Sequence, residues 1–395
     1  MIDCERISGT TRMEYRDFGR SGWKVSALGF GCMRLPTLDG KRFSKKIDEQ
    51  EATRMIRHAI DRGVNYIDTA YRYHGGASES LLAEVLKDGY RERVKLVTKS
   101  PIWLIRKPTD YDKFLNKQLR ALKTDQVDFY LFHGLNKGSW KGVVKRHGLL
   151  KRATAAIRDG RVGGVGFSFH DDLKTFKEIV DGSDEWSLAQ IQYNYMDTNN
   201  QAGTKGLKYA ASKGLGVVVM EPLLGGRLAN PPRSIKAILR AKGVSASDLA
   251  LRWIWNQPEV SVVLSGMSTM RQVKGNLSSA GRSGVGTLDA KSLRLVERVK
   301  ARYLESKPVP CTKCGYCMPC PHGVNIPLNF EEYNDGFIYG DLKTARLAYN
   351  KWMKKKERAA ACQQCGECEA KCPQQIAISE LMPKVHRVLS AQRRS

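Results

Sequence analysis

No apolar run in this chain approaches the roughly 18–20 residues that a membrane-crossing helix needs, which argues against a membrane partner. The first residues, MIDCERISGTTRMEY, lack the apolar core of a secretory leader, so a cytoplasmic protein is expected. Cysteine is almost missing from the first 310 residues: Cys4 and Cys32 stand alone there and read as ordinary thiols. The run Gly29-Phe30-Gly31-Cys32 leads into Met33-Arg34-Leu35-Pro36 rather than into a helix. A dinucleotide-binding glycine fingerprint is therefore absent, and a doubly wound open sheet becomes the weaker of two fold readings. Acidic residues are also scarce, with 40 Asp and Glu against 66 Lys and Arg and a formal charge of +26. Basic residues are not interleaved with aromatics on one face and no binding module is recognisable, so nucleic acid is not an expected partner. The charge reads first as a basic proteome or a solvated surface; the other possibility is that it attracts acidic partners, such as phosphorylated cofactors or a small acidic redox protein.

What is present is a regular alternation. Residues 15–27 read as a short hairpin turning at Gly19–Gly22. Eight β-rich runs follow, at 27–31, 64–68, 94–99, 127–133, 164–169, 188–193, 215–220 and 261–265. Amphipathic helical stretches separate them, near 49–62, 77–88, 109–122, 144–158, 171–181, 202–213 and 246–256. Eight strands with intervening helices over about 250 residues predict an α/β fold of the (β/α)8 TIM barrel type. Two more helices near 270–280 and 289–304 precede Pro308-Val309-Pro310. We place the barrel, with its N-terminal hairpin, at residues 1–306 and a second, mainly helical domain at 307–395.

Strand C-terminal ends are where such a barrel places chemistry. Asp68 ends the buried run Val64–Asp68, with Tyr73 just past it; Lys99 closes RVKLVTKS and His133 closes VDFYLFHG. One chemistry that a set of these residue types can serve is carbonyl reduction, which needs a hydride at carbon and a proton at oxygen. A phenol titrates near ~10, so Tyr73 is a proton donor at neutral pH; a neighbouring ammonium lowers that value, and a buried carboxylate holds the ammonium. Tyr73 is then the general acid, Lys99 the tuner and Asp68 its anchor, with His133 orienting the carbonyl oxygen. Singly, each has a duller reading: a loop tyrosine, a strand-end charge, a loop cap, a satisfied core histidine. His74 is a rival acid beside Tyr73. Trp103 and Trp140, in the loops 101–108 and 136–148, are either pocket walls or loop anchors.

Over roughly residues 14–300 this set, with its Asp-Thr-Ala-x-x-Tyr spacing and strand context, resembles the aldo-keto reductase family. The resemblance implies a carbonyl reductase using NADP(H), with NAD(H) possible, on a small-molecule aldehyde or ketone. It also implies dinucleotide contacts. Gly31 and Met33 lie at the first strand end. Ser168 keeps the serine of a Ser-Asn pair, with Phe169 where asparagine is expected, and Gln190 fits the carboxamide position. Met220 stands where an aromatic residue commonly stacks on the nicotinamide, followed by Glu221, Leu223 and Gly225. Beyond the last strand come Ser265, Gly266, Met267, Gln272 and Asn276. Gly266 and Gln272 stand where many NADPH-preferring relatives carry a Lys and an Arg for the 2′-phosphate, and Arg271 is a candidate replacement charge.

Eight of the ten cysteines lie after the boundary, in two runs: Cys311, Cys314, Cys317, Cys320, and Cys362, Cys365, Cys368, Cys372, each ending in Cys-Pro. The second run has the spacing of bacterial ferredoxins, in which the fourth cysteine ligates the other run's cluster. We therefore expect two 4Fe–4S clusters, one on Cys311, Cys314, Cys317 and Cys372, the other on Cys362, Cys365, Cys368 and Cys320. The first run is one residue short before Cys320, the least secure ligand. Zinc is the competing metal; disulfides fit a different compartment. The helix-forming residues between the runs resemble helical dicluster ferredoxins. Three functions remain open: a reductase with redox-active clusters, a reductase with structural clusters, or a ferredoxin-like electron-transfer or regulatory module that only binds nicotinamide.

Overall fold

A computed structural model describes residues 12–391; Cys4 lies outside them. Two short strands, β1 (Tyr15–Asp17) and β2 (Lys24–Ser26), pair antiparallel as the expected hairpin. Eight further strands follow: β3 (Leu28–Gly31), β4 (Tyr66–Asp68), β5 (Lys95–Ser100), β6 (Val127–Leu135), β7 (Val162–Phe169), β8 (Trp186–Gln192), β9 (Gly216–Met220) and β10 (Val262–Gly266). They are all parallel and close on themselves in the order β10-β3-β4-β5-β6-β7-β8-β9. Strands walled by helices are buried on both faces, so they read as continuous apolar runs such as GVVVM in β9. This is the (β/α)8 barrel of the sequence reading.

One end of the barrel is plugged. Phe18, from the hairpin, packs on Tyr66 and Phe129 at ring separations of 5.9 and 5.1 Å, above a cluster that includes Val97, Leu131, Leu188 and Val218. A side chain on Gly216 would meet the Phe18 ring at 2.9 Å, so this strand start must be glycine. The plug closes the strands' N-terminal ends and leaves chemistry to the opposite rim.

Some local structure differs from expectation. The segment 136–148 is not an open loop: Trp140–Lys145 forms a π-helical turn. Trp140 is fully buried and packs on Trp186 at 6.3 Å, which makes it an anchor and not a pocket wall. The helix expected near 144–158 starts only at Leu149. Arg233–Arg240 is a helix the sequence reading did not contain.

The chain divides into two compact units. The first runs through Gly225 and resumes over Ser247–Leu293; the second combines Gly226–Ala246 with the residues from Arg294 onward. Within the second unit, helices Ile326–Ile338, Leu342–Leu347 and Ile378–Ser390 surround a core of Phe330, Tyr349, Met382, Val385 and Leu389. Arg227 pairs with Asp335 at 2.8 Å and stacks on Tyr339 at 5.1 Å, tying the inserted segment into that unit. Among the described residues, no helix is long and apolar enough to cross a membrane.

Candidate active site and cysteine hollows

The register sets the residues of the rim side by side. Asp68 pairs with Val97, two residues before Lys99, and Lys99 pairs with Leu131, two residues before His133. Lys99 is 1% exposed, and its Nζ donates to Asp68 Oδ1 and Oδ2 at 2.6 and 2.7 Å and to the Thr69 carbonyl at 2.8 Å. It lies 3.4 Å from the Tyr73 hydroxyl. Burial alone would lower the Lys99 pKa, but Asp68 and then Tyr73 outweigh it and hold the ammonium above its ordinary value. The Tyr73 phenol is itself pushed up: burial dominates, and the pull of Lys99 downward offsets only part of it. Lys99 tunes Tyr73, but the net result is a phenol that keeps its proton.

The Tyr73 and His133 rings stand edge to face, with centroids 6.1 Å apart. His133 Nδ1 has no hydrogen-bond partner. Burial, Lys99 and His170 depress the imidazole to a pKa of about 3, so it is neutral at physiological pH. Trp103 packs edge-on against His133 at 5.1 Å, and the Arg72 guanidinium lies over the Trp103 ring at 5.4 Å, so this loop tryptophan does border the site.

His74 is a strut, not an acid. Its Nε2 accepts the Leu35 N–H at 3.2 Å, so Nδ1 carries the proton and donates to the Ser44 carbonyl at 2.7 Å. The ring thereby pins the ends of the 35–44 segment. A second buried network escaped the sequence reading. Thr98 Oγ1 and Gln118 Nε2 both donate to Glu79 Oε1 at 2.6 Å, Gln118 also reaches the Lys99 carbonyl at 3.2 Å, and Tyr130 donates to Gln118 Oε1 at 2.8 Å. It braces the end of β5 from behind. Its signal in the sequence was Gln118, a polar residue on the otherwise apolar face of the helix Asp110–Leu122.

The expected dinucleotide contacts occupy the rest of the rim. Gln190 on β8 places Nε2 3.8 Å from the Met220 sulfur, while its buried Oε1 has no partner. An orphaned acceptor of that kind fits the amide N–H of a carboxamide. Ser168 Oγ accepts the Gly134 N–H at 2.8 Å. Asn276 Nδ2 donates to Ser265 Oγ at 2.8 Å, and Gln272 Oε1 accepts the Ser268 N–H at 2.8 Å. Met267 is buried, whereas Met33 is exposed; Gly31 pairs with Gly266 across β3 and β10. Leu223 packs against the barrel core. Glu221 is in the left-handed region, φ 55°.

In the second unit the cysteines sort into two sets. Cys311, Cys314, Cys317 and Cys372 line one hollow, beside Ile326, Phe330 and Ile378. Cys320, Cys362, Cys365 and Cys368 line another, beside Pro321, Val324 and Ser379. Each hollow takes three cysteines from one run and one from the other. Among the described residues no three metal-binding side chains converge on one point; four thiols ring each hollow instead.

Comparison with known proteins agrees with this geometry. Residues 27–298 match the model of the aldo/keto reductase family, and residues 310–377 match a 4Fe-4S dicluster domain. The chain is 26% identical to the L-galactose dehydrogenase of Arabidopsis thaliana over 310 residues, covering 73% of this chain and 95% of that protein. It is 27% identical to a 6-dehydroglucose reductase of Novosphingobium aromaticivorans over 277 residues, 64% and 85% of the two chains. The holo form of an aldo-keto reductase from Bacillus halodurans superposes with a TM-score of 0.61 at 24% identity, covering 73% of this chain and 96% of that one. The chain belongs to the aldo/keto reductase family: it is an oxidoreductase barrel that carries, in addition, a 4Fe-4S dicluster domain.

Proposed function

We propose that the barrel reduces an aldehyde or ketone with a nicotinamide dinucleotide, and that Tyr73 is the general acid. The observation that carries this reading is the buried Asp68–Lys99–Tyr73 chain beside the neutral His133. When bound, a reduced nicotinamide would supply the hydride, and 4Fe–4S clusters held by the two cysteine sets would supply single-electron chemistry. The chain's residues do the rest. Tyr73 holds a proton that burial keeps on the phenol. As that proton moves to the carbonyl oxygen, the Lys99 ammonium stabilises the phenolate left behind, and Asp68 fixes the ammonium. His133, neutral, donates a hydrogen bond to the same oxygen. Gln190 and Ser168 orient the carboxamide, and Met220 packs beside it. NADPH is our choice of dinucleotide, with NADH the alternative.

The two sets of four thiols are our ligands for two 4Fe–4S clusters. Their role is left between electron exchange, for which the +26 charge suits a small acidic electron-transfer protein, and a structural one. One observation favours a structural role: Cys317 belongs to the unit's apolar core, and Cys311, Cys320, Cys362, Cys368 and Cys372 pack against it. The test of the catalytic reading is Tyr73→Phe, assayed with an aromatic aldehyde and NADPH. Loss of a general acid lowers kcat by roughly 10²–10⁴-fold, with dinucleotide affinity retained. A variant that still turns over at the wild-type rate sinks the assignment.

A further inference from the structure

The turn that carries Tyr73 also brings a cation to the site. The Tyr73 N–H donates to the Ala70 carbonyl at 3.0 Å, and the Arg72 carbonyl accepts the Gly75 N–H at 3.0 Å. His74, Gly75 and Gly76 then take left-handed backbone, with φ of 52°, 64° and 101°. The turn is tight, and it positions Arg72 and Tyr73 together. The Arg72 guanidinium lies over the Trp103 ring at 5.4 Å; Trp103 stands edge-on to His133 at 5.1 Å, and His133 edge-on to Tyr73 at 6.1 Å. A row of touching side chains thus runs from the two groups that address the carbonyl oxygen to one positive charge.

Trp103 is itself fixed. Its neighbours Ile102 and Ile105 are buried, and Arg106 Nη1 donates to its carbonyl at 3.1 Å. A guanidinium resting on an aromatic face keeps its N–H donors in its own plane, free for a planar anion. Among the described residues, no hydrogen bond or ion pair reaches the Arg72 guanidinium. A second cation stands at the same turn. A Cβ built on Gly75 would come within 2.5–3.0 Å of Lys45 Cε, Cγ and Cδ, so the lysine stem lies against Gly75, two residues past Tyr73. The carboxylates of the neighbouring segments are engaged elsewhere. Asp68 holds Lys99, Glu79 accepts Thr98 and Gln118, and Asp110 accepts the Arg106 and Lys107 N–H groups. This side of the site is left with positive charge and no counter-ion.

We propose that the carbonyl substrate is an anion, an aldehyde or ketone that also carries a carboxylate or a phosphate, and that Arg72 is the residue that selects it. This rests on the reductase reading above and adds to it the chemical class of the substrate. With the carbonyl oxygen at Tyr73 and His133, the anionic group is received at Arg72, beside Trp103. It takes no part in the bond changes: hydride and proton add across the carbonyl, and the carboxylate or phosphate leaves unaltered. Lys45 and the +26 charge of the chain add attraction at longer range without fixing a geometry.

The test is steady-state kinetics of the cluster-loaded protein, with NADPH and again with NADH, for wild type, Arg72→Gln and Arg72→Lys. Two substrate pairs are used: 4-oxobutanoate against its methyl ester, and glycolaldehyde phosphate against glycolaldehyde. Wild type is expected to favour the charged member by kcat/KM, and the pair with the larger preference identifies the anion as carboxylate or phosphate. Losing a charge-assisted contact at an exposed arginine should cut that preference by roughly 10-fold in Arg72→Gln, through KM rather than kcat. Arg72→Lys keeps the charge without the fork and should retain part of the preference. Added salt should erode the preference in wild type, and less so in Arg72→Gln. Loosened packing around Trp103 would slow both members of a pair alike, so an unchanged ratio in Arg72→Gln overturns the proposal. If Arg72→Gln does not fold, Arg72→Lys decides, by a severalfold fall in the ratio or by none. A wild type that reduces the neutral aldehydes and gains nothing from the charge overturns this inference and leaves the reductase reading standing. A wild type that reduces none of these compounds overturns the reductase reading itself, and this inference with it.

Discussion

Replacing Asp68 with asparagine keeps the shape of the side chain and removes the charge that Lys99 leans on. The ammonium is 1% exposed and contacts both carboxylate oxygens, at 2.6 and 2.7 Å; its other acceptors are the Thr69 carbonyl at 2.8 Å and the Tyr73 hydroxyl at 3.4 Å. Breaking a buried pair from one side costs ~3–5 kcal/mol, because the other charge stays behind without compensation. With Thr69 and the new amide oxygen still present, the low end, about 3 kcal/mol, is the expected loss at neutral pH. The sign with pH follows from Lys99, whose folded pKa is raised. A raised group stabilises the fold fully below its unfolded value near ~10.4 and loses that contribution as pH rises through the folded value. The variant lacks the contribution, so its deficit stays constant from neutrality up to the unfolded lysine value of ~10.4 and shrinks only as pH rises beyond it. Six of the seven tryptophans (23, 103, 140, 186, 253 and 255) lie in the barrel unit, so their emission during urea denaturation reports that unit. Measured at about pH 7 and again at about pH 9.5, the deficit should be the same, and it should fall only above about pH 10.5. A loss under ~1 kcal/mol at neutral pH, or a deficit that grows with pH, would refute the view that Asp68 holds this lysine charged.

The pH dependence of turnover carries a second expectation. His133 sits at a pKa of about 3, so the rate of carbonyl reduction should show no inflection near the usual histidine value of ~6.5. It should fall only at alkaline pH, as Tyr73 loses its proton, while alcohol oxidation rises over the same range; a histidine-like inflection in kcat would contradict the neutral imidazole. For the cysteines, Cys365→Ser removes one ligand from one hollow only. It should cut bound iron to about half and leave the other cluster and the barrel's aldehyde reduction in place, as read by iron assay and absorbance near ~400 nm. Loss of all the iron together with the fold would favour the structural reading of the clusters.

What could be read from the sequence was whatever a local pattern states. A parallel strand buried on both faces is a continuous apolar run, and a polar residue ending that run is conspicuous, which is why Asp68, Lys99 and His133 stood out. The cysteine spacing is equally local. Roles decided by distant partners were not legible. His74 looked like an acid because it neighbours Tyr73, but its two nitrogens are occupied by Leu35 and Ser44, 39 and 30 residues away. Trp103 and Trp140 are both tryptophans in segments between strands, yet one borders His133 and the other fills the core against Trp186. The helix Arg233–Arg240 was hidden behind Pro231-Pro232, with Ile235 and Leu239 alone buried on its inner face.

A cut at the sequence boundary would not release an independent barrel. Residues 226–246 lie in the middle of the barrel sequence, directly after Gly225, but group with the cysteine-rich unit. Within that unit Arg227 pairs with Asp335 at 2.8 Å and stacks on Tyr339 at 5.1 Å. Ending the chain after Ser306 removes Asp335 and Tyr339 together, and strips the inserted segment of the unit it packs with. Leu228, Ile235 and Leu239 are 0%, 1% and 4% exposed in the intact protein; uncovering such side chains costs ~1.5–3 kcal/mol each. The shortened protein is therefore expected to aggregate, or to be cut by protease within 226–246 at a concentration that leaves the full chain whole. Arg227→Ala in the full chain gives the milder form of the same test: cleavage confined to 226–246, with the barrel's tryptophan emission unchanged. A fragment ending at Ser306 that stays monomeric and resists cleavage there would show that the segment holds its place without the cysteine-rich unit.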